Sequence, residues 1–211
     1  MNDMGLVDVL GGLSTANLCN THPGVKAMNA PIVPLYPGAK LAGPARTAAI
    51  LPGQNAAIHR ALVDAKSGEV LVVDGSGSRL YGPFGDILAS ACQLKGITGL
   101  VIDSTVRDVA EIRAMSFPVF CLGANPSATQ KTDPGEINVA VLCAGVRVSP
   151  GDYIVGDEDG VVVIPQDIVR EVAGSVTAIV QREEEIKAEL VRGKTTCEIL
   201  NIPALSAEPK K

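Results

Sequence analysis

The chain has 211 residues, of which 46% are hydrophobic, so it is long enough to bury one compact core. Its net charge of −5, with no basic block beyond the terminal Lys210 and Lys211, argues against a nucleic-acid surface. No apolar run reaches the length of a membrane span, and the first ten residues lack the basic region of a signal peptide. Five scattered cysteines without a CxxC pattern favour reduced, mostly buried thiols and a cytoplasmic protein.

The first third of the chain alternates short apolar elements with turns. An amphipathic helix is predicted over residues 6–13, with Ser14 capping a further helical turn. Proline and glycine punctuate residues 20–44, which indicates loops and edge strands. The elements predicted after this region are a strand over 45–51, a helix over 55–64 and a fully buried parallel strand over 69–74.

The stretch from 81 to 122 alternates helices and strands. A helix is predicted to begin at Asp86 and to end at Gly96, with its apolar face formed by Ile87, Leu88, Ala91 and Leu94. A strand follows over 99–103, then a second helix opened by Arg107 and Asp108, then a strand over 118–122. Together with the strand over 69–74, these elements predict a βαβαβ core and an α/β fold.

The last third carries strand, hairpin and helix signals. Strands are predicted over 137–142 and 146–148, joined through Ala144 and Gly145, and a hairpin is predicted between 153–156 and 161–165. A long helix is expected from about residue 166 to 192, where Gly193 stops it. We expect one domain over 1–203 and a disordered tail over 204–211.

Two loops of the α/β unit carry the candidate site, because loops at the carboxyl ends of parallel strands meet at one sheet edge. After Gly85 and Asp86, the amides of Ile87 and Leu88 lack intrahelical partners and can bind a carboxylate. The same edge carries the Arg107 guanidinium and the carboxylates of Asp86 and Asp108. From the residues alone two alternatives stay open: Asp86 is only a helix cap, and Arg107 with Asp108 is only a charge pair.

Three other motifs favour ordinary structural roles. The glycine-rich loop over 74–82 lacks the third glycine of a dinucleotide fingerprint, since Leu80 stands at that position. The acidic turn over 157–160 lacks the ligand spacing of a calcium loop. His22 and His59 have no partner pattern for a triad or a zinc site, so we expect surface or packing roles for both.

One longer motif resembles a known family. Asp86, twenty intervening residues and then Arg107-Asp108, within FGDILA and VRDVAEI, is similar to the motif of the class II pyruvate aldolases. These enzymes cleave 4-hydroxy-4-methyl-2-oxoglutarate and 4-carboxy-4-hydroxy-2-oxoadipate, and their family includes regulators of ribonuclease E activity. The resemblance runs from LAGPARTAAILPGQN to PGDYIVGDEDGVVVIP. It implies a three-layer β/β/α swivelling-domain fold assembled as a homotrimer or homohexamer.

The resemblance also implies a reaction and residue roles. A 4-hydroxy-2-oxo acid would be cleaved to pyruvate and a second oxo acid, and oxaloacetate would be decarboxylated. Asp108 would hold Mg²⁺ or Mn²⁺, Arg107 would contact the substrate carboxylate and keto oxygen, and Asp86 would orient a catalytic water. The amides of Ile87 and Leu88 would bind the pyruvate carboxylate. A Schiff-base lysine is the other common solution, but Lys66 and Lys95 are predicted to lie away from this edge.

Several departures from the family pattern leave questions open. Ser104 and Thr105 follow the second strand where many relatives have glycine, which affects the Arg107 loop. A glutamate from a neighbouring subunit reaches the site in the family, and Glu183 and Glu185 are both candidates for it. The C-terminal sequence also differs, so the natural substrate stays undefined. The competing function is a non-catalytic protein that binds and inhibits a ribonuclease or another protein partner.

Overall fold

The computed structural model of the chain describes residues 3–29 and 31–203, so the tail predicted to be disordered, 204–211, lies outside the described residues. Its helices are α1 Asp3–Gly11, α2 Thr15–Cys19, α3 Ala56–Ala61, α4 Asp86–Lys95, α5 Val109–Ala114, α6 Val169–Val191 and α7 Thr196–Ile199. Its strands are β1 Lys26–Ala27, β2 Val33–Pro34, β3 Leu41–Ala49, β4 Val70–Asp74, β5 Gly99–Ile102, β6 Val119–Cys121, β7 Glu136–Ile137, β8 Val141–Cys143, β9 Val146–Val148, β10 Tyr153–Asp157 and β11 Gly160–Ile164.

One large mixed sheet organises these elements in the order β1-β11-β10-β3-β4-β5-β6-β2, with β7 added beside β3. Strands β3, β4, β5 and β6 are parallel, and the helices α4 and α5 connect the last three of them. The predicted βαβαβ core is therefore confirmed. β4 is buried along nearly its whole length, as expected of a central parallel strand that is covered on both faces.

Strand β3 joins the two halves of the sheet. Its first residues pair antiparallel with β10, and from Ala45 onward it pairs parallel with β4. The prediction began this strand at residue 45 and was wrong about its start, because Gly43 and Pro44 suggested a loop. Gly43 is needed within the strand, since a Cβ there would collide with the Gly68 carbonyl oxygen.

The sheet is covered on both faces, which gives the three layers of a β/β/α arrangement. Residues of α3, α4 and α5 pack on one face of the parallel strands. The β8–β9 hairpin lies against the other face, and α1, α2 and α6 pack on β10 and β11. The α/β class and the layered fold implied by the family resemblance are thus confirmed. No helix among residues 3–29 and 31–203 is long and apolar enough to cross a membrane.

Two local predictions need correction. The strand predicted over 137–142 is divided into β7 and β8, because Asn138 has a positive φ of 55° and its N–H donates to the Thr47 carbonyl. The predicted apolar face of α4 is also wrong in part. Ile87 and Leu94 are 73% and 90% exposed, whereas Leu88, Ala89 and Cys92 form the buried face.

The cysteines are free thiols, and the acidic turn has a structural role. All five cysteines are free, with Cys92, Cys121 and Cys143 buried and the other two exposed. Asp157, at the β10–β11 turn, accepts hydrogen bonds from the Thr15 N–H (2.8 Å) and the Thr15 hydroxyl (2.7 Å). The acidic turn therefore fixes the start of α2 on the sheet.

Candidate functional site

Hydrogen bonds and ring packing hold the loop between β4 and α4 in place. The Thr105 hydroxyl donates to the Tyr81 carbonyl (2.6 Å), and the Asn55 Nδ2 donates to the Pro83 carbonyl (3.0 Å). The ring of Phe84 is buried and stacks on Phe117 with centroids 6.1 Å apart. Because both backbone and side chains hold this loop, the start of α4 has a defined position at the sheet edge.

The same loop positions the second part of the motif, the Arg107 segment. The Arg107 N–H donates to the Phe84 carbonyl (2.9 Å), so the two loops are joined directly. Ser104, one of the two departures from the family pattern, donates its hydroxyl to the Ser78 carbonyl (2.7 Å). Ser104 and Thr105 therefore tie the Arg107 loop to the loop after β4.

The start of α4 already holds a carboxylate oxygen. Gly85 is the N-cap residue, and the Ile87 N–H donates to Oδ1 of Asp86 at 2.8 Å. The Asp86 N–H donates across to Oδ2 of Asp108 at 3.3 Å. The Ile87 amide, which is expected to bind a substrate carboxylate, thus has the side chain of Asp86 as its partner in this structure.

Arg107 and Asp108 lie directly against the Gly85 turn. The Arg107 Nε is 3.3 Å from Asp108 Oδ2, and both side chains are partly exposed. Asp108 has left-handed backbone dihedrals, φ 55° and ψ 44°, which are uncommon outside glycine, asparagine and aspartate. A Cβ on Gly85 would collide with Asp108 Oδ2 and lie 3.1 Å from the Arg107 Cγ. The approach of the two loops therefore requires glycine at this position.

A small cavity of about 80 Å³ opens between these loops. One wall consists of residues 85–88 at the start of α4 together with Arg107. The other wall includes Asn55, His59 and Lys131. The structure thus brings together the predicted residues Gly85, Asp86, Ile87, Leu88 and Arg107 around one space, with Asp108 next to Arg107.

Sequence reasoning missed the second wall. His59 had been expected to have only a surface or packing role, and neither Asn55 nor Lys131 was singled out. Burial, followed by the positive charge of Lys131, lowers the pKa of His59 below its ordinary value. These residues meet because the backbone of Gln130 pairs with that of Gln54, a contact across 76 positions that no local pattern reveals.

The donor set fits a hard cation held by few protein ligands. Residues 3–29 and 31–203 contain no cluster of three or more His, Cys, Asp or Glu side chains that could hold a metal ion. Oδ2 of Asp108 accepts from the Asp86 N–H and lies by Arg107, whereas its Oδ1 has no hydrogen-bond donor among the described residues. Mg²⁺ and Mn²⁺ commonly use one or two carboxylates and complete their shells with water and substrate oxygens. Asp108 suits such a role.

The two candidate glutamates for a neighbouring site lie on the exposed part of α6. Glu185 Oε2 is 3.4 Å from Arg182 Nη1 on the same helix, and Glu183 is exposed as well. Neither residue lines the cavity that the described part of the chain forms. Whether either one completes the site of another subunit stays a prediction.

A second pair of carboxylates at the same sheet edge holds the β8–β9 hairpin. Asp103 Oδ1 accepts from the Gly75 N–H (2.5 Å), and its Oδ2 accepts from the Ala144 N–H (3.2 Å). Asp74 Oδ2 accepts from the Leu142 N–H at 3.3 Å. Burial raises the pKa of Asp103 to about 6, with the nearby charge of Asp74 adding to the effect. These groups support the hairpin rather than the cavity.

Asp103 gives the protein a pH-dependent stability that can be measured. Because the folded-state pKa is above the unfolded one, the stabilisation is complete below about pH 4 and is lost as pH rises through about 6. From pH 4 to pH 7 we expect wild type to lose about 1–2 kcal/mol of unfolding free energy relative to Asp103→Asn, a figure reduced for solvent screening. Urea denaturation at several pH values measures this difference.

The matched control for this experiment is Asp64→Asn, which removes an exposed carboxylate. It should alter the unfolding free energy by less than about 0.5 kcal/mol at each pH. Parallel stability curves for wild type and Asp103→Asn across pH 4–7 would contradict the prediction.

Comparison with known proteins places this geometry in a family. The family model described as RraA-like, Aldolase/RraA, matches residues 15–163. A protein of Halalkalibacterium halodurans provisionally named 4-hydroxy-4-methyl-2-oxoglutarate aldolase is 38% identical over 154 residues, which are 73% of each chain. The 4-hydroxy-4-methyl-2-oxoglutarate aldolase of Thermus thermophilus is 32% identical over 152 residues, covering 72% of this chain and 92% of the relative.

A solved structure with a different name has the same fold. Streptomyces coelicolor RraAS2, described as an unusual member of the RNase ES inhibitor RraA protein family, superposes with a TM-score of 0.79. It is 31% identical and covers 88% of this chain and 97% of its own. The chain therefore belongs to the RraA-like family, to which proteins named as aldolases and proteins named as ribonuclease inhibitors are assigned.

Proposed function

We propose that this protein is a divalent-metal-dependent lyase that cleaves a 4-hydroxy-2-oxo acid to pyruvate and a second oxo acid. It would also decarboxylate oxaloacetate. The observation that carries this proposal is the meeting of the α4 start and Arg107 around one cavity, with Asp108 beside Arg107. Cleavage of the carbon–carbon bond leaves pyruvate enolate, so the site must stabilise negative charge on the former keto oxygen, and these groups are suited to that task.

The pyruvate half of the substrate would bind at the start of α4. Its carboxylate would replace the Asp86 oxygen on the Ile87 N–H and would also reach the neighbouring Leu88 amide. Arg107 would contact the carboxylate and the keto oxygen through charge-assisted hydrogen bonds. Asp108 would hold Mg²⁺ or Mn²⁺, and such an ion supplies Lewis-acid stabilisation of charge on the substrate oxygens.

Proton transfer would depend on Asp86. In the structure its Oδ1 accepts from the Ile87 N–H, and its Oδ2 has no hydrogen-bond donor among the described residues. Once the substrate carboxylate has taken the Ile87 N–H, the Asp86 carboxylate would be able to orient a water molecule. That water would remove the proton of the C4 hydroxyl as the C3–C4 bond breaks, and the bonding electron pair would pass to the enolate. A proton delivered to C3 then gives pyruvate. With oxaloacetate the same bond breaks, carbon dioxide leaves, and C3 is protonated.

Relatives named as aldolases support the lyase proposal. The competing proposal is a non-catalytic regulator that binds and inhibits a ribonuclease, and the inhibitor name of a structural relative favours it. A binding surface has no evident need for a carboxylate, a guanidinium and a second carboxylate at one small cavity. Assembly as a homotrimer or homohexamer, with Glu183 or Glu185 of one subunit completing the site of another, belongs to the lyase proposal as well.

Metal removal tests the proposed function directly. With oxaloacetate or 4-hydroxy-4-methyl-2-oxoglutarate as substrate, we expect pyruvate release that Mg²⁺ or Mn²⁺ supports and that EDTA reduces at least about 100-fold. A lactate dehydrogenase coupled assay measures the pyruvate, and re-addition of Mg²⁺ in excess of EDTA should restore the rate. No turnover with Mg²⁺, Mn²⁺ or Co²⁺ would overturn the lyase proposal and favour the regulator.

A further inference from the structure

The segment that carries Arg107 lies between two other loops at the sheet edge, because β4, β5 and β6 are neighbours in the sheet. On one side it is bonded to the loop after β6. The Val106 N–H donates to the Gly123 carbonyl (3.0 Å), and the Asn125 N–H donates to the Val106 carbonyl (2.9 Å). On the other side, the Arg107 N–H donates to the Phe84 carbonyl of the loop after β4. The position of Arg107 therefore depends on both neighbouring loops.

The side chain of Arg107 runs along the backbone of residues 82–85. A Cβ added to Gly82 would lie 2.9 Å from the Arg107 Cβ. A Cβ added to Gly85 would lie 3.1 Å from the Arg107 Cγ and 3.2 Å from its Nε. The arginine thus contacts this stretch of backbone from its Cβ to the start of the guanidinium, so a shift of the stretch would shift the guanidinium as well.

Thr105 holds this backbone from the Arg107 side. Its hydroxyl donates to the Tyr81 carbonyl at 2.6 Å, and only 3% of Thr105 is exposed. Thr105 stands two residues before Arg107, and Tyr81 directly precedes Gly82. One shielded hydrogen bond therefore joins the backbone beside the arginine to the segment that carries the arginine. Loss of such a bond leaves the carbonyl without its donor, which favours a rearranged turn.

Asn125 holds the same backbone from the loop after β6. Its Nδ2 donates to the Arg79 carbonyl (2.8 Å), and the Gly82 N–H donates to the Ser127 carbonyl (2.9 Å). The Asn125 Oδ1 accepts from the Ser127 N–H (2.8 Å), which orients the amide. A Cβ on Gly82 would collide with the Asn125 carbonyl oxygen. Gly82 is thus enclosed between Asn125 and Arg107.

We propose that Thr105 and Asn125 are positioning residues, which set Arg107 for the reaction by holding residues 79–82 against its side chain. The inference rests on the proposed lyase function, in which Arg107 contacts the substrate carboxylate and keto oxygen. Neither Thr105 nor Asn125 lines the cavity that the described part of the chain forms, so both act through Arg107. The guanidinium must meet charge that develops on the keto oxygen, and a displacement of about 1 Å can cost about 100-fold in rate.

The first test removes the Thr105 hydroxyl. With oxaloacetate and Mg²⁺, Thr105→Val should lower kcat/KM about 20-fold, through both a lower kcat and a higher KM. A smaller folded fraction would lower kcat alone, so the rise in KM identifies a displaced Arg107. Thr105→Ser keeps the donor and should stay within about threefold of wild type. Asn125→Ala, at a partly exposed position, should lower kcat/KM about fivefold.

Thr47→Val is the matched control, because it removes an equivalent bond away from the cavity. The Thr47 hydroxyl is buried and donates to the Val139 carbonyl, also at 2.6 Å, and Thr47 does not line the cavity. Thr47→Val should therefore keep kcat and KM. A loss of kcat/KM in Thr47→Val as large as that in Thr105→Val would show a general structural effect and overturn the inference.

A double-mutant cycle tests whether Thr105 acts through Arg107. In an Arg107→Lys background, Thr105→Val should lower kcat/KM by less than about twofold further, since the guanidinium that it positions is absent. If Thr105→Val does not fold, the same cycle with Asn125→Ala decides. Equal losses in both backgrounds, or unchanged kinetics in the single variants, would overturn the inference and leave the lyase standing. Absence of turnover by wild type would refute the lyase and the inference together.

Discussion

Asp108→Asn is expected to lower kcat/KM for pyruvate release about 10³-fold while leaving the fold intact. The substitution removes the negative charge that would hold Mg²⁺ or Mn²⁺, and stabilisation of a developing oxyanion is worth effects of about this size. Asparagine keeps an acceptor oxygen for the Asp86 N–H and for Arg107 Nε. The loss should therefore reflect charge and metal binding rather than a rearranged loop.

The choice of asparagine follows from the backbone. Asp108 lies in the left-handed region, with φ 55° and ψ 44°, where alanine is strained by about 1–2 kcal/mol and asparagine is tolerated. Asp108→Ala would mix this strain with the loss of the carboxylate. Asp108→Gly offers a second comparison, since glycine adopts the conformation freely and lacks the side chain. The Asn and Gly variants should lose kcat/KM to a similar extent if the carboxylate is the group that holds the ion.

The control for Asp108 is Glu111→Gln, which removes one negative charge from the exposed first turn of the same helix, α5. It should keep activity within about twofold of wild type and require the same metal concentration. Isothermal titration with Mn²⁺ should show binding to wild type and to Glu111→Gln but not to Asp108→Asn. Metal-dependent activity near the wild-type rate in Asp108→Asn would show that another group holds the ion.

Regular local patterns were enough to predict the scaffold of the site. The continuous apolar run of β4 indicated a buried parallel strand, and the glycine at position 96 predicted the end of α4. In the structure Gly96 has the left-handed conformation, at φ 74°, that ends many helices. The alternation of strands and helices from β4 to α5 then predicted that the loops carrying Asp86 and Arg107 lie at one sheet edge. These features depend on residues close together in the chain, which is why the sequence reveals them.

The features that could not be predicted depend on contacts between distant segments. Apolar residues occur on several sides of α4, so periodicity alone could not decide that Cys92 faces the core and Leu94 faces solvent. His59 and Lys131 line the same cavity because Gln130 pairs with Gln54, just before α3. The Ile87 amide was predicted to lack an intrahelical partner. The structure shows that this amide donates to the carboxylate of Asp86, a side-chain contact that the sequence does not reveal.

Gly85→Ala is expected to reduce kcat/KM about 100-fold and to lower the unfolding free energy by about 1–3 kcal/mol. The backbone of Gly85 is extended, at φ −144° and ψ −169°, so alanine can adopt it without conformational strain. The added methyl group instead meets Asp108 Oδ2 and lies 3.2 Å from the Arg107 Nε. Relief of that contact must push the Arg107–Asp108 segment away from the start of α4.

Gly174→Ala is the matched control, because it makes the same chemical change at a position in α6 where a Cβ meets nothing within 4 Å. It should keep full activity and raise the unfolding free energy by roughly 0.5–1 kcal/mol, since alanine favours helix over glycine. Metal affinity separates the two effects of Gly85→Ala. If Arg107 and Asp108 are displaced together, Mn²⁺ should still bind, because the Asp108 carboxylate remains. Turnover should fall, because that carboxylate no longer lies beside the start of α4. Wild-type turnover in Gly85→Ala would mean that the close approach of these loops is not needed for the reaction.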